Sequence, residues 1–444
     1  MRRRIVFSLP TVLVAALFLR LVSLNQSLWL DEATTALVAR MPIHDIFSKF
    51  LPGDFHPPLY YLIMKYWALI FGYSEISLRV PSIIFGLGTV YFIYLIGRKL
   101  FNEKIGLIAA IFLATSGLSI YYSQEARMYM LAAFLVSVLI YLFIQRKWVI
   151  FSLVLLLTGM TDYVSLFIIP VFFIAGWKYR KKIFLSLLPL AVAFVLWWPV
   201  FIKQILGGMS VKSSNWWNIL GLPSFKNLAL IPVKFMFGRI SFDNKILYFL
   251  IVAAAACFFG YLLAKSLRAS KILWMWLLLP VVFGTIISFK IPTLTYFRYL
   301  FCLTPFYLLL AYGVNKLGKF SKALVIFMVV FNLATSGYYL FNPKFQRENW
   351  RGLVSFVESK KTENSITIFP ASSNMEAYLY YAPGAKIVGQ GAIRRGYDQI
   401  WLMDYLSSIF DPGGTAKSKV EALGYRQKAG YSFNGIGEVY LYEK

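Results

Sequence analysis

The sequence predicts an all-α polytopic membrane protein of about 11 transmembrane helices, with amphipathic helices in its first outer loop and a small C-terminal α/β domain. Three observations lead there. Of 444 residues, 59% are hydrophobic and only 14% charged, a balance outside the soluble globular range. Apolar runs long enough to cross a bilayer recur along the chain as far as residue 341. The last 103 residues contain no such run, yet hold ten of the 19 acidic residues.

The elements follow in order. The first run, 5–24, lies behind Arg2-Arg3-Arg4 and lacks the small-residue pattern of a cleaved leader, so it reads as an uncleaved span. Further spans are expected at about 80–97, 105–121, 128–144, 148–161, 163–177, 183–201, 246–264, 272–289, 296–314 and 322–340. This count gathers the basic clusters on one side: Arg2–Arg4, then Arg98, Lys99 and Lys104, then Arg146 and Lys147, then Lys178 to Lys182, then Lys265 to Lys271, then Lys316 to Lys322. Lys and Arg stay cytoplasmic, so that side is inside and the N-terminus with it. The +26 net charge is thus topological and implies no nucleic acid partner. Cys257 and Cys302 lie in apolar runs and define no disulfide framework.

Segment 57–72 tests the count. It is short, begins with Pro57-Pro58 and carries Lys65 near its middle, so it reads as a helix lying in the outer interface. Upstream, Ile43, Ile46, Phe47, Phe50 and Leu51 recur at helical spacing opposite His44, Asp45, Ser48 and Lys49, a second amphipathic helix. The expected organisation is a membrane domain, 1–341, with outer loops at 25–79 and 202–245, and an extracytoplasmic domain, 342–444. In the latter, 349–359 has helical periodicity, 365–369 and 399–403 read as buried strands, and 431–436 as a hairpin.

Acidic residues are scarce before residue 342, and eight of those nine fall on the outer side in this topology. Asp31-Glu32 stands directly after the first span. Three outer stretches concentrate the chemistry: Trp29-Leu-Asp31-Glu32 through Arg40; Phe55-His56-Pro57-Pro58-Leu59-Tyr60-Tyr61 with Ser77-Leu-Arg79; and Tyr121-Tyr122-Ser-Gln-Glu125-Ala-Arg127-Met-Tyr129. Together, in this order and placement, they resemble the glycosyltransferase C superfamily, in particular its dolichyl-phosphate-mannose-protein mannosyltransferase-like branch (glycosyltransferase 39/83-like). The resemblance covers roughly 5–340 and is most specific over 25–130. It implies transfer of a sugar from a polyprenyl-phosphate carrier to an acceptor hydroxyl on the extracytoplasmic face. It matches Asp31 to the catalytic carboxylate of the first outer loop and Glu125 to the acidic position of the second. Partners so implied are the lipid-linked sugar donor, membrane lipids, and a glycan, glycolipid or protein acceptor.

The chemistry agrees. One-step displacement at a sugar carbon needs a base for the incoming hydroxyl and cations for the departing phosphate. Neighbours on a helix point about 100° apart, so Asp31 and Glu32 do not form the facing carboxylate pair of a retaining mechanism. Asp31 is the expected base, with Glu32 or Glu125 orienting base or acceptor. Arg40, Arg79, Arg127 and Arg298 are the phosphate candidates, because the guanidinium fork pairs phosphate oxygens; Arg298, at a span end, comes first. His56, Tyr60, Tyr61 and Tyr122 are further substrate contacts. No cofactor is certain: superfamily members differ in metal dependence, His56 is the candidate ligand, and no cluster here has metal-ligand spacing.

Plainer roles compete. Asp31 would N-cap a helix starting near Ala33. Glu125 and Arg127 would form a surface ion pair. The arginines would snorkel, and the tyrosines, with Trp29, would form an interfacial belt. The competing function is a transporter or flippase of a lipid-linked saccharide, but such proteins place charges near the bilayer midplane, and here the charges lie at one water boundary.

Overall fold

The computed structural model describes residues 8–211 and 222–444. The Arg2–Arg4 cluster, the first residues of the span expected from residue 5, and the middle of the 202–245 loop lie outside them.

The chain forms two compact units. The first comprises 1–24, 42–63 and 79–341; the second comprises 25–41, 64–78 and 342–444. The boundary expected at 341 is therefore incomplete, since two pieces of the first outer loop belong to the same unit as the C-terminal residues.

The first unit is helical. Among the described residues, six helices are long and apolar enough to cross a membrane: Glu75–Leu100, Leu188–Ser210, Lys245–Lys265, Lys271–Ser288, Tyr296–Lys316 and Gly318–Phe341. Shorter apolar helices occupy Leu9–Leu21, Leu59–Phe71, Tyr129–Gln145, Trp148–Gly159 and Val164–Ala175. Every expected span thus coincides with a helix, although several are shorter than a bilayer crossing. The expected span 183–201 differs: a separate helix covers Arg180–Ser186, and the next runs from Leu188 to Ser210, past its expected end. A helix at Phe225–Phe237 fills part of the 202–245 loop. Ile43–Gly53 is helical throughout, in α, π and 3-10 turns, with Ile46 and Leu51 buried.

The expected span 105–121 is broken. Glu103–Thr115 and Gly117–Ser123 meet at an angle of 63°, with Ser116 extended between them. A break within apolar surroundings strips helix carbonyls of their partners, and each must find another donor. Three do so here. Arg20 Nη1 donates to Ala114 O at 3.1 Å, Asn332 Nδ2 to Phe112 O at 3.0 Å, and Ser336 Oγ to Thr115 O at 2.8 Å. Arg20, fully buried, also reaches Ser119 Oγ and Ser123 Oγ at 2.8 and 3.0 Å. The bend is thereby pinned from two other helices, and Tyr121 to Ser123 lie in the second of the two bent helices, with Gln124 and Glu125 just past its end.

The second unit centres on a five-stranded sheet: β1 (Ser365–Phe369), β2 (Ile387–Gly389), β3 (Gln399–Met403), β4 (Arg426–Phe433) and β5 (Gly437–Glu443), in the order β2-β1-β3-β5-β4. β1 pairs in parallel with β2 and β3, while β5 pairs antiparallel with β3 and β4. Central parallel strands covered on both faces read as continuous apolar runs, which is why β1 and β3 were legible. Ile366, Ile368, Ile400, Leu402, Val420 and Tyr442 form one core cluster. Helix Trp350–Lys360 begins at Asn349, whose side chain accepts from Gly352 N at 3.1 Å.

Candidate active site

The acidic pair lies in the second unit, on helix Leu30–Arg40. Trp29 is the N-cap and makes no side-chain capping bond, so Asp31 and Glu32 fall within the first turn and the capping role for Asp31 is not seen. Two carboxylates there are favoured by the helix dipole. Asp31 is half-buried and Glu32 fully buried. Glu32 Oε2 lies 3.9 Å from Arg347 Nε, both side chains almost excluded from solvent. Arg40 ends the same helix, its guanidinium 5.0 and 5.4 Å from the ring centres of Tyr73 and Tyr380. That contact packs the guanidinium against two rings.

The first unit holds the other candidates. Asp54 Oδ2 accepts from Tyr61 OH at 2.8 Å and stands 3.3 Å from His56 Nδ1. Burial pushes the Asp54 carboxyl up, but His56, Arg127 and Tyr61 outweigh it and hold the group at about 2. Tyr60 and Tyr61 are fully buried, which removes them from an interfacial belt. Arg127 Nη1 donates to Tyr61 OH at 3.4 Å. Glu125 and Arg127 are 2% and 5% exposed, so neither belongs to a surface ion pair, and the Glu125 carbonyl accepts from Ser82 Oγ at 2.6 Å. Arg79, also buried, donates to Leu24 O at 2.7 Å and ties down the segment that follows the first helix. Tyr122 packs against Tyr121, Tyr129 and Phe297, with ring centres 4.9 to 6.3 Å apart.

Arg298 and His56 come together at one cavity of about 270 Å³, lined also by Phe55, Asp162, Tyr163 and Gln204 and otherwise mostly by apolar side chains. Gln204 fixes the rim: its Nε2 donates to Leu51 O at 2.7 Å and His56 O at 3.1 Å, and its Oε1 accepts from Tyr163 OH at 2.5 Å. Arg298 is half-buried and spends one hydrogen on Pro292 O at 2.6 Å, which leaves most of its fork for another acceptor. Among the described residues, no group of three or more His, Cys, Asp or Glu is placed to hold a metal ion.

The model for the dolichyl-phosphate-mannose-protein mannosyltransferase family matches residues 55–202. Among solved structures, ArnT from Cupriavidus metallidurans bound to undecaprenyl phosphate is similar at a TM-score of 0.57 and 11% identity, covering 98% of this chain and 97% of that one. Its apo state gives 0.54 at the same identity, covering 98% and 96%. The Archaeoglobus fulgidus oligosaccharyltransferase in its apo form gives 0.51 at 14% identity, covering 86% of this chain and 64% of that one. No curated protein matches by sequence. This chain has the glycosyltransferase C fold.

Within this glycosyltransferase C fold the family-model match takes in His56, Tyr60, Tyr61, Arg79, Tyr122, Glu125 and Arg127, and stops short of Asp31 and Arg298. The structure adds residues that the motifs did not reveal. Asp54 stands two positions before His56, a spacing that was readable; Gln204 carried no signal. Arg239 is exposed, hydrogen-bonds Tyr121 OH and lies 4.5 Å over its ring. It is seated by Gly238, whose φ of +66° suits glycine and whose close approach to the Gly117–Leu118 backbone leaves a Cβ only 3.1 Å from Gly117. Lys234 Nζ is 6.0 Å from the Tyr296 ring centre. In the second unit, Arg347 and Glu348 have no counterpart among the sequence motifs.

Proposed function

We propose that this protein is an integral membrane glycosyltransferase that moves a monosaccharide from a polyprenyl-phosphate carrier to an acceptor hydroxyl on the extracytoplasmic face. The observation that carries the proposal is the cavity around Arg298 and His56. A mostly apolar pocket with a cation at its wall suits a ligand that is greasy at one end and anionic at the other. Undecaprenyl phosphate, the molecule held by the ArnT structure of the same fold, is such a ligand.

In this reading Arg298 pairs the phosphate, and Arg239, exposed beside Tyr121, is a second cation for it. Asp31 takes the acceptor's hydroxyl proton as that oxygen bonds to the anomeric carbon. The bond from that carbon to the phosphate oxygen breaks, its electron pair leaving with the polyprenyl phosphate, and the centre inverts. Glu32 and Glu125 orient base and acceptor. The basic clusters face the cytoplasm, and the second unit, which carries Asp31 and the sheet, faces outward.

The test incubates purified protein with a panel of radiolabelled polyprenyl-phosphate sugars and bacterial membrane acceptors, beside Asp31→Asn. Transfer by the wild type and its loss in a folded Asp31→Asn protein are expected. Undiminished transfer by the variant removes Asp31 from the mechanism. Transfer from a nucleotide sugar without lipid removes the donor class.

A further inference from the structure

We propose that Asp162 is a specificity-determining residue for the donor sugar, accepting hydrogen bonds from its hydroxyls in the cavity where Arg298 meets the phosphate. The proposal rests on the reading of that cavity as the donor site. Several polar groups on the cavity wall are already satisfied within the protein. Gln204 gives its amide hydrogens to two backbone carbonyls, and its oxygen accepts from Tyr163. The Tyr163 hydroxyl in turn accepts from Trp197 Nε1 at 2.7 Å. Thr293 Oγ1 lies 3.0 Å from Gly284 O and 2.8 Å from Ser288 Oγ.

Three groups on the wall keep capacity for a ligand. His56 faces Asp54 through Nδ1 and keeps Nε2, and Arg298 keeps most of its fork. Those two suit an anion. Asp162, only 4% exposed, is the opposite case. Its Oδ2 accepts from Ser165 N at 3.2 Å, and the Val164 amide adds to the hold. An ionised carboxylate has about four acceptor sites and no donor, so two amides leave roughly half of them for the cavity.

What fills those sites must bring hydrogen-bond donors. A lipid phosphate is itself an anionic acceptor and its chain is apolar, so neither part satisfies Asp162. A sugar joined to that phosphate carries several hydroxyls. The wall therefore matches a glycosyl phosphate better than a bare phosphate, with donors for the anion and an acceptor for the sugar. Burial pushes the Asp162 carboxyl up while the charges of His56 and Arg298 oppose it, so hydroxyls bound there stabilise its charged form.

A plainer role competes. Asp162 stands at the turn between helices Trp148–Gly159 and Val164–Ala175, and its bond to Ser165 N is a helix cap. The backbone of the turn is fixed without the carboxylate: Asp162 N donates to Thr158 O at 3.2 Å, and its carbonyl accepts from Ser165 Oγ at 2.5 Å. Serine caps about as well as aspartate. Capping alone does not call for a charged group on the wall of a mostly apolar cavity.

The experiment titrates the full-length protein in detergent with undecaprenyl phosphate, bare or linked to mannose, glucose, galactose or arabinose, and reads affinity calorimetrically. Wild type is expected to bind at least one sugar-linked lipid about tenfold more tightly than the bare lipid. Asp162→Ser, which keeps the cap, is expected to lose that gain and to bind the bare lipid as wild type does. Monodeoxy analogues of the preferred sugar read the contact itself. Wild type is expected to bind one of them about tenfold more weakly than the parent, and Asp162→Ser to bind the two equally. A gain that survives in an Asp162→Ser protein of wild-type melting temperature overturns the proposal. If that variant does not fold, Asp162→Asn takes its place, and an unchanged preference for the parent over the analogue is equally fatal. Bare-lipid binding by wild type with no gain from any sugar refutes the role of Asp162 alone. Binding of neither kind of lipid refutes the donor reading of the cavity, and the proposal with it.

Discussion

Glu32 and Arg347, more than 300 residues apart in sequence, form an ion pair at 3.9 Å with side chains 0% and 4% exposed. The loop after the first span and the entry to the sheet thus share one dry contact. Removing one partner leaves the other charge buried, which costs about 3–5 kcal/mol. Arg347→Met should lower the unfolding temperature and open 25–41 to protease. Glu32→Gln combined with Arg347→Met should lose less than Arg347→Met alone, which a double-mutant cycle reads directly.

Two carboxyls give opposite limbs to the stability–pH curve. Asp54 is held at about 2 in the fold, below its ordinary value of 3.8, so its contribution is present above about 4 and lost as pH falls toward 2. Glu348 is raised from 4.5 to about 7, so its contribution is full below about 4.5 and lost as pH rises through 7. Asp54 is worth about 2 kcal/mol and Glu348 about 3 kcal/mol. Thermal unfolding should show stability rising from pH 8 to 5 and falling below 4. Glu348→Gln should erase the first limb and Asp54→Asn the second.

Arg298 should govern the lipid phosphate. Losing a charge-assisted pair costs about 1.5–3 kcal/mol, so Arg298→Ala should weaken binding of undecaprenyl phosphate roughly 10- to 100-fold. Arg298→Lys should recover only part of this, because an ammonium lacks the guanidinium fork. Calorimetric titration in detergent measures both; equal affinity in Arg298→Ala and wild type would remove Arg298 from the donor site.

The bend at Ser116 depends on donors brought by other helices. Asn332 is 1% exposed and supplies Phe112 O and Thr115 Oγ1. Asn332→Leu leaves that carbonyl only Thr115 Oγ1, at 3.3 Å, in apolar surroundings and should cost about 1–2 kcal/mol. Transfer activity should fall with it if the bend is what presents Tyr121 to Glu125. A variant with wild-type melting temperature and activity would show that the bend holds itself.

Hydropathy and charge in the sequence determined the helices, their order and the α/β character of the C-terminal residues. These signals are local: an apolar run or a fully covered strand reports its own burial wherever it lies. The motifs likewise marked Asp31, His56 and Glu125, because residue types that are costly beside a membrane stand out against an apolar background. Tertiary structure alone decided which of them meet. The break at Ser116 exists because Arg20, Asn332 and Ser336, on two other helices, complete its backbone. The cavity needs Gln204 and Arg298 from far along the chain beside His56. Residues 25–41 belong to the sheet's unit because helix Glu376–Tyr381 packs on helix Leu30–Arg40 and Arg347 reaches Glu32. Each of these is a pairing between distant residues, and the sequence records what a side chain can do but not which partner the fold brings to it.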